Sequence, residues 1–134
     1  WVDAQNNDRI ADIAAGRGVK SLALAKAGAR VSAVDQDQDK LEAAVTLLER
    51  AGCTLTETVS CDASVTIPLA AGSFDRVLVD APCTGLGTLR RRPEIRHRRN
   101  AVDIYQMSRL QARLLSRGVR RYAILRRDYH PGGL

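Results

Sequence analysis

Side chains that can do chemistry stand at the end of an apolar run in "VLVDAPCTGLGTLRRRPEI", residues 77–95. Asp80 can accept a proton or a hydrogen bond, and Cys83 carries a thiol that becomes a nucleophile when it ionises. Gly85 and Gly87 follow, and arginines come directly after them. An apolar strand that ends in an acid, a thiol and two glycines predicts a reactive loop rather than a packing element.

Other acids also stand near the ends of apolar runs. Asp35 follows "ARVSAV" and can accept hydrogen bonds from two ribose hydroxyls, as acids do in both NAD and S-adenosylmethionine enzymes. It can instead cap the next helix, together with Asp37 and Asp39. Asp62 follows "TLTETVSC" and can accept from an adenine amino group, or it can be a turn residue. These acids predict a nucleoside site without fixing the cofactor.

The segment "DIAAGRGVKS", residues 12–21, joins a strand to a helix through small residues. Small residues let the backbone approach a ligand closely, and a helix start offers free N–H groups. The third glycine of a dinucleotide loop is missing, because Ser21 stands there, and the first glycine of a phosphate-binding P-loop is missing too. The segment predicts a cofactor loop, with an ordinary tight turn as the alternative.

The elements that position these groups alternate along the chain. Apolar runs predict strands at 9–15, 29–35, 54–62 and 74–82, and helical spacing predicts helices at 19–28, 39–52 and from about Asn100 onward. Such alternation predicts an α/β fold with a doubly wound, mostly parallel sheet. Ligands bind beyond the carboxyl ends of such strands, which is where the acids and Cys83 fall.

Charge is divided unevenly along the chain. Residues 1–89 hold 8 Lys/Arg and 12 Asp/Glu, whereas residues 90–127 hold 13 Arg and 2 acids. A basic block favours a polyanionic partner, most simply a nucleic acid, over a merely solvated helix face. Three cysteines and two histidines, without a CxxC pair, argue against a disulfide framework or a zinc site and favour a reducing cytoplasm. The lack of an 18-residue apolar run argues against a membrane span.

The opening motif resembles the catalytic domain of the RNA cytosine-C5 methyltransferases, of the bacterial Sun/Fmu type that modifies 16S ribosomal RNA. In that family the fourth strand ends in D-A-P-C-S/T-G-x-G and a basic R-R-x-P-[DE] segment follows; this chain has "DAPCTGLGTLRRRPEI". The resemblance covers residues 8–118 and "PGG" at 131–133. It implies a Rossmann-like class I methyltransferase domain that uses S-adenosyl-L-methionine and acts on ribosomal RNA.

The resemblance also implies roles for residues. The residues that it assigns to the cofactor are Asp12, Ala14, Ala15, Gly16, Arg17, Gly18, Val19, Lys20, Asp35, Asp62 and Asp80. The family usually has C-A-A-P-G-G-K in this loop, so Arg17 replaces a proline and Val19 a glycine. A Cβ at Val19 is therefore predicted to crowd the cofactor or to demand an unfavourable φ.

The family chemistry explains the cysteine. A thiolate adds to C6 of cytosine, which lets C5 take the methyl group; a base then removes the C5 proton and the thiolate leaves. In the RNA family the main nucleophile lies in a Thr-Cys motif after the fifth strand, so it is expected beyond Leu134, the last residue of this chain. Cys83 matches a second cysteine that assists product release. RNA phosphates would meet the basic segment through Arg90, Arg91, Arg92, Arg96, Arg98 and Arg99.

We expect residues 1–134 to form one partial domain, with strands one to four and the following helix, and we expect the chain alone not to methylate RNA. Two rivals remain. A nucleotide-binding oxidoreductase explains the loop and Asp35 but not "DAPCTGLG". A non-catalytic cofactor- or RNA-binding remnant is favoured by the altered loop and by the lack of a Thr-Cys motif. The oligomeric state stays open.

Overall fold

The computed structural model describes residues 3–80 and 101–122 of the chain. Within these residues the elements are β1 (Arg9–Ile13), α1 (Val19–Lys26), β2 (Arg30–Asp35), α2 (Gln38–Arg50), β3 (Glu57–Ser60), β4 (Arg76–Val79) and α3 (Ala101–Tyr122). The predicted alternation of strands and helices is confirmed. None of the helices in the described ranges is long and apolar enough to cross a bilayer.

The strands form one sheet in the order β3-β2-β1-β4, and every pair in it is parallel. β1 lies inside the sheet, where Ile13 is opposite Val34 of β2 on one side and Val79 of β4 on the other. Parallel strands all end at the same edge of a sheet. The carboxyl edge therefore gathers the turns that follow these strands, as a Rossmann-like sheet requires.

Helices cover both faces of the sheet. Side chains alternate between the two faces of a strand, so Ile10 and Val31 pack with Leu24 of α1 on one face. On the other face Ile13 packs in a cluster with Leu114 of α3. Coverage of both faces confirms the predicted doubly wound arrangement and explains why every residue of β1 and β2 after the first is buried.

The strands are shorter than the sequence predicts, for local reasons. β1 ends at Ile13 rather than residue 15, because Ala14 turns the backbone to a φ of 62°. β3 has four residues and pairs only with β2 among the described strands. β4 begins at Arg76 rather than residue 74, and its four residues are all half-buried and pair with β1 alone within residues 3–80 and 101–122.

A close contact between α1 and α2 depends on Gly18. This residue precedes α1 with a φ of 80°, a left-handed conformation that side chains other than hydrogen disfavour. A Cβ built there would lie 2.6 Å from Cβ of Ala44 and 3.0 Å from its Cα. Gly18 is thus required both by its backbone angle and by the space that it leaves for α2.

Replacement of Gly18 tests this packing. We expect Gly18→Ala to lower the free energy of unfolding by roughly 2–4 kcal/mol, because a left-handed strain of about 1 kcal/mol adds to an overpacking cost. Gly52→Ala is the matched control, since Gly52 has a φ of 71° but nothing lies within 4 Å of its built Cβ. Urea denaturation of both variants measures the difference. Equal losses in the two would show that α2 does not constrain position 18.

Candidate functional site

A cleft of about 250 Å³ lies at the carboxyl edge of the sheet, where the turns after the strands meet α3. Three carboxylates face it, one from the end of each of three strands. The described lining residues are Ala14, Gly16, Asp35, Gln36, Lys40, Cys61, Asp62, Ala63, Asp80, Leu110 and Leu114. The site therefore combines acids at strand ends with an apolar wall from α3.

Asp35 is the organising residue of the cleft. It is the last residue of β2 and is buried. Its Oδ2 accepts a hydrogen bond from the Gly16 amide at 2.9 Å, and its Oδ1 accepts one from the Asp37 amide at 3.0 Å. An ionised carboxylate offers about four lone-pair sites. Acceptor capacity therefore remains for hydroxyl groups of a ligand.

Backbone strain in the loop falls on Ala14. Its φ of 62° is unusual for a residue with a Cβ and marks a functional loop. The Ala15 amide donates to the Val34 carbonyl at 2.9 Å, which ties the loop back to β2. The predicted strain at Val19 is wrong, because the positive φ values in the described residues do not include it. Val19 begins α1, its side chain is 71% exposed, and it is not among the described residues that line the cleft.

Asp12 lies beneath the cleft rather than in its lining. It is fully buried, and its Oδ2 accepts a 2.6 Å hydrogen bond from the Ser21 hydroxyl. Its Oδ1 has no hydrogen-bond partner in the described part of the chain. Burial, only partly offset by the Ser21 hydrogen bond, raises the pKa of Asp12 to about 6. The side chain thus holds the first turn of α1 at the cost of a poorly solvated carboxylate.

An ion pair links the first turn of α1 to the residue that follows β4. Lys20 Nζ contacts Asp80 Oδ1, and the Asp80 amide donates to the Ile13 carbonyl at 3.1 Å. Both side chains are partly exposed, so the pair adds little to stability. Its effect is geometric, because it ties Asp80 to the first turn of α1, just before the Ala-Pro-Cys segment.

Several predicted groups lie outside the part of the chain that the structure describes. Leu134 lies there, so the expectation that the main nucleophile follows Leu134 stays a prediction. The same holds for the assisting role of Cys83 and for the arginines assigned to RNA, which are Arg90, Arg91, Arg92, Arg96, Arg98 and Arg99. The first of the two described ranges ends at Asp80, three residues before Cys83.

Asp62 faces the cleft from the end of β3. Its Oδ1 accepts from the Ser64 amide at 2.9 Å and from the Ser64 hydroxyl at 2.7 Å, and these hydrogen bonds lower the pKa of Asp62. Arg113 and Arg117 on α3 lower it further. The neighbouring Cys61 is half-buried, and burial raises the pKa of its thiol. A raised pKa disfavours the reactive thiolate, and Cys61 packs against the core cluster that includes Ile13 and Leu114.

The structure brings together five of the predicted cofactor residues in the cleft lining: Ala14, Gly16, Asp35, Asp62 and Asp80. The other six lie near it, outside the described lining: Asp12, Ala15, Arg17, Gly18, Val19 and Lys20. Sequence reasoning missed six lining residues: Gln36, Lys40, Cys61, Ala63, Leu110 and Leu114. Three of these are sequence neighbours of a cleft acid, which is a usable signal; the two leucines are indistinguishable from core positions in the sequence.

Metal ligands and a second cavity bear on the choice of site. No cluster of His, Cys, Asp or Glu within residues 3–80 and 101–122 could hold a metal ion. A second cavity, also of about 250 Å³, lies on the flank between α2 and β3 and is lined by Val45, Glu49, Thr54, Leu55, Glu57 and Thr58. Volume alone therefore does not select the site. Position at the carboxyl edge and the three carboxylates do.

Comparison with known proteins gives consistent matches. The family described as 16S rRNA methyltransferase RsmB/F matches residues 1–128. A methyltransferase of Mycobacterium tuberculosis (strain H37Rv) is 42% identical over 115 residues, which are 83% of this chain and 24% of that protein. Ribosomal RNA small subunit methyltransferase B of Thermus thermophilus is 35% identical over 114 residues, 85% of this chain and 28% of that protein.

A solved structure agrees with these matches. NSun6 from Pyrococcus horikoshii, crystallised with SFG, an analogue of S-adenosylmethionine, superposes with a TM-score of 0.75 at 25% identity. The match covers 90% of this chain and 31% of that one. The chain spans about a quarter of the length of the curated relatives that it matches.

The buried carboxyl of Asp12 makes stability depend on pH. Its pKa rises from an ordinary value of 3.8 to about 6 on folding, so the folded state binds the proton more tightly. Stability contributed by the protonated form is present below about pH 4 and is lost as pH rises through 6, by roughly 2–3 kcal/mol. Asp8, Asp37 and Asp62 have lowered pKa values. Their contribution to stability therefore has the opposite sign and is lost as pH falls toward and below those pKa values.

We expect Asp12→Asn to flatten this dependence between about pH 4 and pH 7, because the amide does not titrate. Urea unfolding across that range measures it. Asp39→Asn, which removes an exposed carboxylate of α2, is the control and should keep the wild-type slope. A wild-type stability that rises with pH across this window, or an Asp12→Asn protein with the unchanged slope, would contradict the assignment.

Proposed function

Because the chain belongs to the RsmB/F family of 16S rRNA methyltransferases, we propose that its cleft binds S-adenosyl-L-methionine for methyl transfer to C5 of a cytosine in ribosomal RNA. The observation that carries the proposal is the Asp35 carboxylate, buried at the end of β2 and bonded to the amides of Gly16 and Asp37. It holds the loop and the helix start on either side of the space that a nucleoside would fill.

The chemistry of the lining fits this cofactor. S-adenosylmethionine presents ribose hydroxyls and an adenine amino group as donors, and its sulfonium and ammonium groups are cations. Asp35 and Asp62 supply acceptors, and Asp80 supplies negative charge at the mouth of the loop. Gly16 leaves the backbone accessible, since nothing lies within 4 Å of a Cβ built on it. The residues present would thus bind and orient the cofactor, which supplies the methyl group when bound.

The same lining disfavours the oxidoreductase alternative. A dinucleotide carries a pyrophosphate with two negative charges, and in the described lining such a group would meet three carboxylates, of which Asp80 is paired with Lys20, against one cation, Lys40. Ser21, which stands where a dinucleotide loop has its third glycine, is buried and donates its hydroxyl hydrogen bond to Asp12. The solved structure of a relative with SFG also supports S-adenosylmethionine rather than NAD as the cofactor.

For the transfer step we propose the covalent route of the resembled family. A cysteine thiolate, expected in a Thr-Cys motif beyond Leu134, adds to C6 of the cytosine, C5 takes the methyl group, a base removes the C5 proton, and the thiolate leaves. Asp80, fixed to Lys20 at the end of β4, begins the segment that carries Cys83, and Cys83 would assist release of the product. The arginines from Arg90 to Arg99 would bind RNA phosphates.

Calorimetric titration with S-adenosylmethionine tests the cofactor proposal. We expect Asp35→Asn to weaken binding by about tenfold to a hundredfold, because the amide cannot accept from two hydroxyls while it also holds Gly16 and Asp37. Asp39→Asn, on the exposed side of α2, should bind like the wild type. NADH should give no heat of binding with any of the three proteins.

Two results would contradict the proposal. One is equal affinity of the wild type and Asp35→Asn for S-adenosylmethionine, with both proteins folded by their urea transitions. The other is tighter binding of NADH than of S-adenosylmethionine, which would favour the oxidoreductase.

A further inference from the structure

Helix α3 carries an arginine stripe beside the cleft. The stripe consists of Arg109, Arg113 and Arg117, which recur every four residues and so share one side of the helix. All three side chains are exposed. Over its whole length, Ala101–Tyr122, the helix has five arginines and a single acid, Asp103. The helix thus carries four more arginines than acids.

Packing fixes the direction in which this stripe faces. Leu114 is 4% exposed in the core cluster on one face of the sheet, and Leu110 packs against the same cluster. Both leucines also line the cleft. Arg113 directly precedes Leu114, and Arg117 follows one turn later. The guanidinium groups therefore lie along the border between the apolar wall of the cleft and the solvent.

The effect of Arg113 and Arg117 on the Asp62 carboxylate also indicates that they lie beside the cleft. Asp62 lines the cleft and is held in place by the Ser64 amide and hydroxyl. Both Arg113 and Arg117 lie close enough to act on its charge. Ion pairs within 4 Å in the described part of the chain involve other residues, namely Arg9–Asp75, Lys20–Asp80, Lys40–Asp37 and Arg76–Asp8. Two guanidinium groups thus share one more distant carboxylate and keep capacity for an anion.

We propose that Arg113 and Arg117 bind phosphates of the substrate RNA backbone at the rim of the cofactor cleft. Guanidinium forks match phosphate oxygens, and a spacing of four residues separates the two by about 6 Å along the helix axis. Asp62 lies just inside and repels a phosphate, so the backbone stops at the rim while the cleft stays open to the cofactor. The inference rests on the proposed function, and it adds a second RNA contact to the segment of residues 90–99.

Salt-dependent RNA binding tests the inference. Fluorescence anisotropy with a short fluorescein-labelled single-stranded RNA compares the wild type with Arg113→Gln/Arg117→Gln. We expect about tenfold weaker binding at low salt and a slope of log K against log salt that is smaller by roughly 1.4, or about 0.7 for each lost phosphate contact. Arg113→Lys/Arg117→Lys keeps both charges and should keep the wild-type slope, which shows that the positions tolerate substitution.

Arg30→Gln/Arg50→Gln is the charge-matched control. Arg30 begins β2 at the opposite edge of the sheet, Arg50 ends α2, and both are exposed. This variant should keep the wild-type slope. An equal loss in the two glutamine variants would mean that net charge alone acts, and it would overturn the inference, as would no loss in either.

Calorimetry with S-adenosylmethionine on the same samples separates the two proposals. Retained cofactor binding in Arg113→Gln/Arg117→Gln, with weakened RNA binding, is the expected result. A wild type that binds the cofactor but no RNA would overturn this inference and leave the cofactor proposal standing. A wild type that binds neither would overturn both.

Discussion

The carboxylate of Asp35 joins the two turns on which the cleft depends. Through its hydrogen bonds to the Gly16 and Asp37 amides, it holds the loop after β1 against the start of α2. Hydrogen bonds that an amide donates to a charged acceptor contribute about 1.5–3 kcal/mol each. They also satisfy a carboxylate that would otherwise be costly to bury. Without this side chain the loop would lose the hydrogen bond from Gly16 to β2 and would keep the one from the Ala15 amide. The cleft would lose the carboxylate at the end of β2.

The sequence predicted the parallel sheet and the clustering of acids because both follow from local pattern and from the geometry of parallel strands. It could not rank the acids. Asp12 and Asp35 both follow apolar residues near a strand end, yet Asp12 faces α1 and is sealed under the loop, whereas Asp35 opens on the cleft. Asp12 is opposite Ala33, two residues farther from the carboxyl edge than Asp35, and it meets Ser21 of α1, a tertiary contact that local pattern does not encode.

Two other differences have similar origins. Val19 replaces a family glycine, yet the positive φ values of the loop fall on Ala14, Gly16 and Gly18 and not on Val19. Leu110 and Leu114 have the spacing of ordinary core residues, and their part in the cleft depends on where α3 crosses the sheet. Local sequence encodes the period of a helix but not the neighbour that its apolar face meets.

Charge is arranged in layers around the cleft. A buried carboxyl with a raised pKa lies beneath it, three carboxylates line it, and arginines of α3 border it. The inner layers suit a cationic cofactor, and the outer layer suits a polyanion. Part of the basic half of the sequence thus lies beside the acids, since Arg113 and Arg117 of α3 border the cleft that Asp35, Asp62 and Asp80 line.

The most direct test is an amide ¹H–¹⁵N spectrum of the chain titrated with S-adenosylmethionine. We expect saturable shifts for Gly16 and Asp37, whose amides donate to Asp35, with little change for Thr58 in the flank cavity between α2 and β3. Shifts confined to the flank cavity, or an unchanged spectrum at saturating ligand, would contradict it.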